Sequence, residues 1–130
     1  MFLDYMHPFL MRQRRHYGIF VIEQAPNQKF NRGMLLNVGY TEAMKVHAWN
    51  CIVFHDVDLL PITTEIIYEC PHEGTAVHMT SAIDKYGFKP PYNAYFGGVV
   101  AMNQKEFEAI NGYPNLYWGW GGEDDDFYLR

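Results

Sequence analysis

The chain has 130 residues, 48% of them apolar and 17% aromatic, which is enough material for the core of one domain. A net charge of −5, with only 19% charged residues, weighs against nucleic acid as a partner, because phosphate binding needs a basic surface. The sequence contains no apolar run long enough for a membrane helix and no signal-peptide pattern, so we expect any anchor to lie outside it. It shows no repeat or linker, and we expect residues 1–130 to form a single domain.

The N-terminal third begins with apolar residues spaced for one face of a helix, namely Phe2, Leu3, Met6, Phe9 and Leu10. Pro8 lies within that face and is expected to break or kink the helix. The β-branched run of residues 18–22 follows and ends at a Pro26-Asn27 turn. This run predicts a buried strand of the parallel type.

The middle of the chain alternates between helical and strand patterns. Apolar spacing predicts a helix over residues 32–46, and a second buried strand is predicted over residues 51–54. Farther on, the patterns predict strands over 77–83 and 97–102 and a short helix over 104–110. The order strand, helix, strand is typical of a βαβ unit, so the sequence predicts an α/β fold with a covered sheet.

The first candidate for chemistry is the triplet Asp56-Val57-Asp58, which directly follows the strand predicted over residues 51–54. Ligands of open α/β sheets bind beyond the carboxyl ends of the strands. Two carboxylates in this arrangement can hold a hard divalent cation, which in turn holds a diphosphate. A solvated acidic turn is the alternative. The apolar residues on both sides of the triplet favour a site.

The second candidate is the segment of residues 118–126, in which two tryptophans alternate with glycines before the four carboxylates of residues 123–126. A helix that begins here would stabilise part of that negative charge. Capping accounts for part of the carboxylate charge but not for the two tryptophans. Glycine-flanked aromatic residues suit a mobile lid over a sugar. A carboxylate beside such a lid can act as a general base on an acceptor hydroxyl.

Other polar or aromatic segments have simpler interpretations when each is taken alone. Aromatic residues before Gly97-Gly98 favour core packing followed by a bulge. Arg32, at the start of a predicted helix, can pair with a phosphate or a carboxylate, although a solvated helix end is the simpler interpretation. His55 is interpreted as a packed strand-end residue. Cys51 and Cys70 fit either a reducing compartment or one disulfide.

Taken together, the motifs resemble the β-1,4-galactosyltransferase family. The matching segments occur in family order at residues 17–24, 30–32, 35–40, 54–61, 84–88, 95–98, 110–113 and 118–126. The resemblance implies a GT-A-like, Rossmann-like fold, here a part of the catalytic domain truncated at both ends. It also implies transfer of galactose from UDP-galactose, with inversion and with Mn²⁺ as cofactor, to the 4-hydroxyl of a terminal N-acetylglucosamine, glucose or xylose on a glycan or glycoconjugate.

The resemblance also implies roles for individual residues. The implied donor-binding residues are Phe30, Asn31, Arg32, Asp56, Val57, Asp58, Lys85, Gly98 and Trp120. The implied acceptor-binding residues are Tyr92, Tyr95, Gly122, Glu123, Asp124 and Asp125. Among them, Asp124 is implied as the general base, Asp58 as a ligand of Mn²⁺, and Trp120 as part of the mobile lid. Lys85 would approach the diphosphate, and the bulk of Tyr95 would favour galactose over N-acetylgalactosamine.

The same resemblance bears on compartment and completeness. It pairs Cys51 with Cys70 in a disulfide, which implies the Golgi lumen and a full-length type II membrane protein. The family's Phe-Arg-Asn-Arg donor-binding segment and its Met and His metal ligands are expected outside the chain. Residues 70–78 are longer than the usual family spacing, and residues 61–64 lack the acidic residues common there. A fragment that binds a sugar or nucleotide without catalysis, transfer to proteoglycan xylose and use of UDP-N-acetylgalactosamine remain alternatives.

Overall fold

The computed structural model of the protein describes all residues from 1 to 130. The elements in chain order are α1 (Phe2–Arg12), α2 (Arg32–Val46), β1 (Cys51–His55), β2 (Ala76–His78), a 3₁₀ turn (Asp84–Tyr86), β3 (Val99–Asn103), α3 (Gln104–Ala109) and α4 (Glu123–Leu129). None of the helices is both long and apolar enough to cross a membrane.

The three strands form one sheet in the order β1-β3-β2, and both neighbouring pairs are antiparallel. Ala101 in the central strand lies opposite Val53 on one side and Val77 on the other. The expected parallel pairing is therefore wrong for this sheet. Apolar runs show that a strand is buried, but they carry no information about the direction of its neighbour.

Several predicted elements are confirmed. The helix over residues 32–46 is α2, and the strand over 51–54 is β1. The strand predicted over 97–102 and the helix over 104–110 correspond to β3 and α3, with slightly different bounds. Of the strand predicted over 77–83, only the first part pairs, as β2; Ile83 forms an isolated bridge with Lys89 instead.

The run of residues 18–22 is not a strand, contrary to the sequence prediction. None of its backbone groups makes a backbone–backbone hydrogen bond, and Val21 is 61% exposed. The run borders an open cleft whose lining also includes β1. Because a strand is defined by its hydrogen-bonded neighbour, an apolar run without such a neighbour remains irregular.

Helix α1 passes through Pro8 and continues to Arg12, so the proline does not end the helix. An interior proline removes one helical hydrogen bond and costs ~3 kcal/mol. Burial of Met6, Phe9 and Leu10, each 8% exposed or less, offsets that cost.

The main core joins the sheet to α3 and α4. Its buried members are Phe54, Val100, Met102, Phe107, Tyr113 and Phe127. The rings of Tyr113 and Phe127 stack with centroids 3.8 Å apart, which fixes α4 against the residues before it. A disulfide between Cys51 and Cys70 ties the irregular segment after β1 back to the start of that strand. The Tyr113 ring also packs edge to face against Phe54 at 5.1 Å, so it links the end of β1 to α4.

Candidate active site

One cleft of about 1520 Å³ contains both acidic segments that the sequence singled out. Asp56 and Asp58, at the end of β1, line the cleft together with Asp124 at the start of α4. Lys85 and Trp120 line it as well. The chain therefore brings its two acidic segments, a lysine and a tryptophan to one cavity.

Arg32 is the central residue of this cleft. Its guanidinium donates to Asp56 Oδ1 from Nη2 at 2.7 Å and from Nε at 2.9 Å. It also donates from Nη1 to Asp124 Oδ1 at 2.8 Å, and Glu123 Oε1 lies 3.5 Å from the same nitrogen. The Arg32 side chain is only 17% exposed. Burial acts to lower the pKa of Arg32, but the carboxylates of Asp56 and Asp124 raise it above its usual value.

Arg32 is held in place by the N-cap of α2. The Asn31 side chain accepts a hydrogen bond from the Met34 backbone N–H at 2.9 Å, as an N-cap residue does. Its amide nitrogen donates to the Asn115 carbonyl at 2.9 Å, and its backbone N–H donates to Gln24 Oε1. Asn31 is 1% exposed, so it fixes its neighbours and presents no free polar group to the cleft. The sequence reasoning missed Gln24, whose contribution depends on a loop that folds back.

The Asp124 carboxyl has a pKa raised from 3.8 to about 7. Burial is the main cause, and the neighbouring Glu123 adds to it, while Arg32 acts in the opposite direction. A group with a pKa near neutrality is well matched to proton transfer at physiological pH.

Asp56 is fixed from two sides. Its backbone N–H donates to the Gly98 carbonyl at 3.0 Å, and its side chain accepts from Arg32. Gly98 has φ of +83°, a conformation that disfavours other residues. Gly98 does not line the cleft, and its contact with the site is the hydrogen bond to the Asp56 backbone.

Asp58 and Val57 are exposed at the mouth of the cleft, and Val57 is 64% exposed. The Asp58 carboxylate makes no hydrogen bond or ion pair with any other residue. No three His, Cys, Asp or Glu side chains converge on a point that could hold a metal ion. The Asp58 carboxylate is therefore free to ligate a hard cation such as Mn²⁺.

The Trp120 indole is 98% exposed and lies in a loop of left-handed glycines. Gly119, Gly121 and Gly122 have φ between +93° and +98°. The loop is fastened at one point, where the Gly119 N–H donates to the Phe30 carbonyl at 2.7 Å. An exposed indole on such a hinge has the freedom that a lid needs.

A second group of aromatic side chains borders Asp124 and Asp125. The Tyr92 hydroxyl donates to Asp125 Oδ1 at 2.7 Å, and the rings of Tyr92 and Tyr95 meet edge to face at 5.5 Å. Burial, with help from the Asp124 charge, raises the pKa of Tyr95 to about 12. The Tyr95 hydroxyl is therefore protonated at neutral pH and can donate a hydrogen bond.

His55 lies next to the acidic triplet but is a packed residue, as the sequence indicated. Its ring nitrogens contact the Asp56 carbonyl and the Tyr68 hydroxyl, both at 2.8 Å. Burial lowers the pKa of His55, so the ring remains neutral at physiological pH. We assign it no chemical role.

Family models cover almost the whole chain. Residues 1–71 match the N-terminal region of glycosyl transferase group 7, and residues 77–130 match the N-terminal domain of galactosyltransferase. The chain is 53% identical to β-1,4-galactosyltransferase 1 of Bos taurus and 50% identical to β-1,4-galactosyltransferase 4 of Homo sapiens, in each case over 98% of its length. The fold and the sequence thus place the protein among the glycosyltransferases.

The solved structures agree with that class. Drosophila β-1,4-galactosyltransferase 7, in complex with manganese, UDP-Gal and xylobiose, superimposes with a TM-score of 0.87 at 37% identity, covering 98% of this chain and 52% of that one. A xylobiose complex of the same enzyme's catalytic domain gives a TM-score of 0.86 at 36% identity, with the same coverage. The chain belongs to the β-1,4-galactosyltransferase family and has the GT-A-like fold of its catalytic domains. It spans 31% of the bovine relative and 37% of the human one.

Proposed function

We propose that the whole protein transfers galactose from UDP-galactose to the 4-hydroxyl of a terminal sugar acceptor, with inversion at the anomeric carbon. The observation that carries this proposal is that Asp58 and Asp124 line one cleft while the pKa of Asp124 is raised to about 7. Family membership supports the same reaction. Residues 1–130 form part of one catalytic domain in this proposal.

In the proposed reaction, Asp124 accepts the proton of the acceptor hydroxyl. The oxygen then attacks the anomeric carbon of galactose in line, a new C–O bond forms, and the bond from that carbon to the UDP oxygen breaks. Arg32 holds Asp124 at 2.8 Å, so the carboxylate is oriented before the acceptor arrives. The lid residue Trp120 closes over the sugar and excludes water, which would otherwise compete as the nucleophile.

On the donor side, Phe30, Asp56, Val57 and Lys85 line the cleft and are proposed to bind UDP-galactose. The exposed ammonium of Lys85 suits a diphosphate. Asp58 is the residue of this chain proposed to hold Mn²⁺, which neutralises diphosphate charge when bound. The remaining ligands are proposed to come from the nucleotide and from protein segments outside these 130 residues.

On the acceptor side, the residues proposed to bind the incoming sugar are Tyr92, Tyr95, Gly122, Glu123, Asp124 and Asp125. Solved relatives bind xylobiose, so a xylose acceptor is a specific alternative to N-acetylglucosamine. The bulk of Tyr95 beside Asp124 is proposed to disfavour UDP-N-acetylgalactosamine. Donor competition before and after Tyr95→Leu tests that preference: the variant should gain use of the N-acetylated donor, and an unchanged donor ratio would argue against it.

We further propose that the protein works in the lumen of the Golgi, anchored by a segment outside this chain. The Cys51–Cys70 disulfide supports an oxidising compartment. Localisation of the tagged full-length protein by microscopy tests this placement. A cytosolic distribution with both thiols free would contradict it.

The experiment for the proposed activity uses the full-length protein with UDP-galactose and, separately, N-acetylglucosamine, glucose and xylose acceptors. We expect a β-1,4-linked product by NMR for at least one acceptor, formed only when Mn²⁺ is present. Failure with every acceptor would contradict the proposal.

A second candidate function is sugar or nucleotide binding without catalysis. The lining of the cleft is compatible with this function, because Phe30 and the exposed Lys85 line it whether or not a cation is bound. Calorimetric titration of UDP into the full-length protein, with and without Mn²⁺, separates the two. An affinity that does not respond to Mn²⁺ favours the binding function, whereas a gain favours the transferase.

A further inference from the structure

Gly97 and Gly98 are adjacent, and a side chain at either would meet close neighbours, but only Gly98 also has a positive φ. Gly98 has φ of +83°, so its backbone conformation disfavours any side chain. Gly97 is not among the residues with positive φ, so other residues can adopt its backbone conformation. What Gly97 lacks is space.

A methyl group added at Gly97 would overlap the Asp124 carboxylate, at Oδ2. It would also lie 2.8 Å from Cε2 and 2.9 Å from the hydroxyl oxygen of Tyr95. Attraction between non-bonded carbon atoms is greatest at about 3.5–4.0 Å, and a Cβ atom essentially never lies within 3.0 Å of a non-bonded heavy atom, so each of these approaches is repulsive. The Asp124 carboxylate therefore occupies the volume in which a side chain at position 97 would begin.

None of the three groups can easily move away. Asp124 is held by Arg32 at 2.8 Å, and the ring of Tyr95 packs edge to face against His78 with centroids 5.5 Å apart. The backbone of Gly97 is fixed as well, because its carbonyl lies 2.8 Å from His78 Nε2. A larger residue at position 97 must break at least one of these contacts.

We propose that Gly97 is a positioning residue: its missing side chain creates the seat in which the Asp124 carboxylate rests against the Tyr95 ring. This inference rests on the proposed function of Asp124 as general base. The seat and the ion pair with Arg32 together leave the carboxylate one orientation. The sequence cannot distinguish the roles of the two glycines, since only the fold brings residue 124 to residue 97.

The first test is independent of activity. Gly97→Ala in the full-length protein is compared with Gly18→Ala, at a glycine whose close neighbours are ring edges of Phe20 and Trp49 at 3.0 Å and do not include Asp124. The ¹³C carboxyl resonance of Asp124 is titrated in each protein. We expect Gly97→Ala to lower the Asp124 pKa towards its ordinary value, because burial is the largest cause of the raised pKa. An unchanged Asp124 titration curve would overturn the proposal.

A second test guards against a variant that simply fails to fold. Removal of the carboxylate in the double variant Gly97→Ala/Asp124→Ala also removes the overlap. Urea denaturation gives the unfolding midpoint of each variant. We expect Gly97→Ala to lower this midpoint clearly less when Asp124 is already alanine than when Asp124 is present. An equal loss in both backgrounds would overturn the proposal.

The third test uses turnover by the full-length protein. A displacement of about 1 Å in a catalytic group costs about 100-fold, so we expect that loss in kcat for Gly97→Ala, with little change in KM for UDP-galactose. The pH profile should shift together with the Asp124 pKa. Gly97→Ala could lower the Asp124 pKa in a protein that transfers no galactose even as wild type. That result would support the positioning role of Gly97 and contradict the proposed reaction.

Discussion

Arg32 Nη1 donates to Asp124 Oδ1 at 2.8 Å, which joins the first residue of α2 to a residue 92 positions later in α4. The same guanidinium also holds Asp56 at the end of β1. One cation thus links the donor side of the cleft to the proposed base. Several properties of the protein depend on this link.

Replacement of Arg32 by alanine is expected to destabilise the fold strongly. The change leaves the carboxylates of Asp56 and Asp124 in a partly buried site without their cation, which typically costs about 3–5 kcal/mol. Urea denaturation measures the loss. Arg15→Ala is the matched control, because its pair with Glu69 is about half exposed and such pairs contribute about 0–1 kcal/mol. Equal losses in the two variants would show that the Arg32 ion pairs contribute no more to stability than an exposed pair does.

The stability of the chain should depend on pH through Asp124. Its pKa is 3.8 when unfolded and about 7 when folded, so the folded state binds more protons between these values. Its contribution to the free energy of unfolding is greatest in acid and is lost as the pH rises through about 7. Asp124→Asn should flatten this part of the stability profile measured by thermal unfolding. A profile with the same slope in the variant would argue against the raised pKa.

The Trp120 indole should matter for turnover and not for stability. A 98% exposed side chain contributes little to folding, so Trp120→Ala is expected to change the free energy of unfolding by less than about 0.5 kcal/mol. Turnover of UDP-galactose should nevertheless fall, since the lid is lost. Trp49→Ala provides the contrast, because the Trp49 indole is part-buried and donates to the Ala43 carbonyl at 3.1 Å. A large loss of stability in Trp120→Ala would contradict the lid assignment.

The disulfide should contribute measurably to stability. Cys51→Ser/Cys70→Ser is expected to cost about 2–5 kcal/mol, chiefly because the unfolded chain regains freedom. Chemical denaturation gives this value, and mass spectrometry of the secreted protein reports the redox state directly. Both thiols found free would contradict the bond between Cys51 and Cys70.

The sequence predicted best what depends on local pattern. Helix α2 carries its own signals, namely apolar spacing over residues 32–46 and the N-cap Asn31. The acidic triplet at residues 56–58 was recognisable because it follows a clear strand. The proposed role of both acidic segments in sugar-nucleotide transfer came from the family motifs, because a pattern of charges alone does not identify a ligand.

What the sequence did not predict depends on distant partners. Residues 18–22 have the composition of a strand, yet no neighbouring strand forms hydrogen bonds with them. Apolar runs likewise do not indicate that the neighbouring strands of the sheet are antiparallel. The pairing of Arg32 with Asp124 and the space at Gly97 arise only when α2, α4 and the segment before β3 come together.

The most direct test of the account compares Asp124→Asn with Asp126→Asn in the full-length protein. Asp126 lies in the same helix but is paired with Arg130 at 2.9 Å and does not line the cleft. With both variants shown to be folded, we expect Asp124→Asn to lose about 10²–10⁴-fold in kcat and Asp126→Asn to stay close to wild type. Turnover by Asp124→Asn within about twofold of wild type would contradict its role as the base.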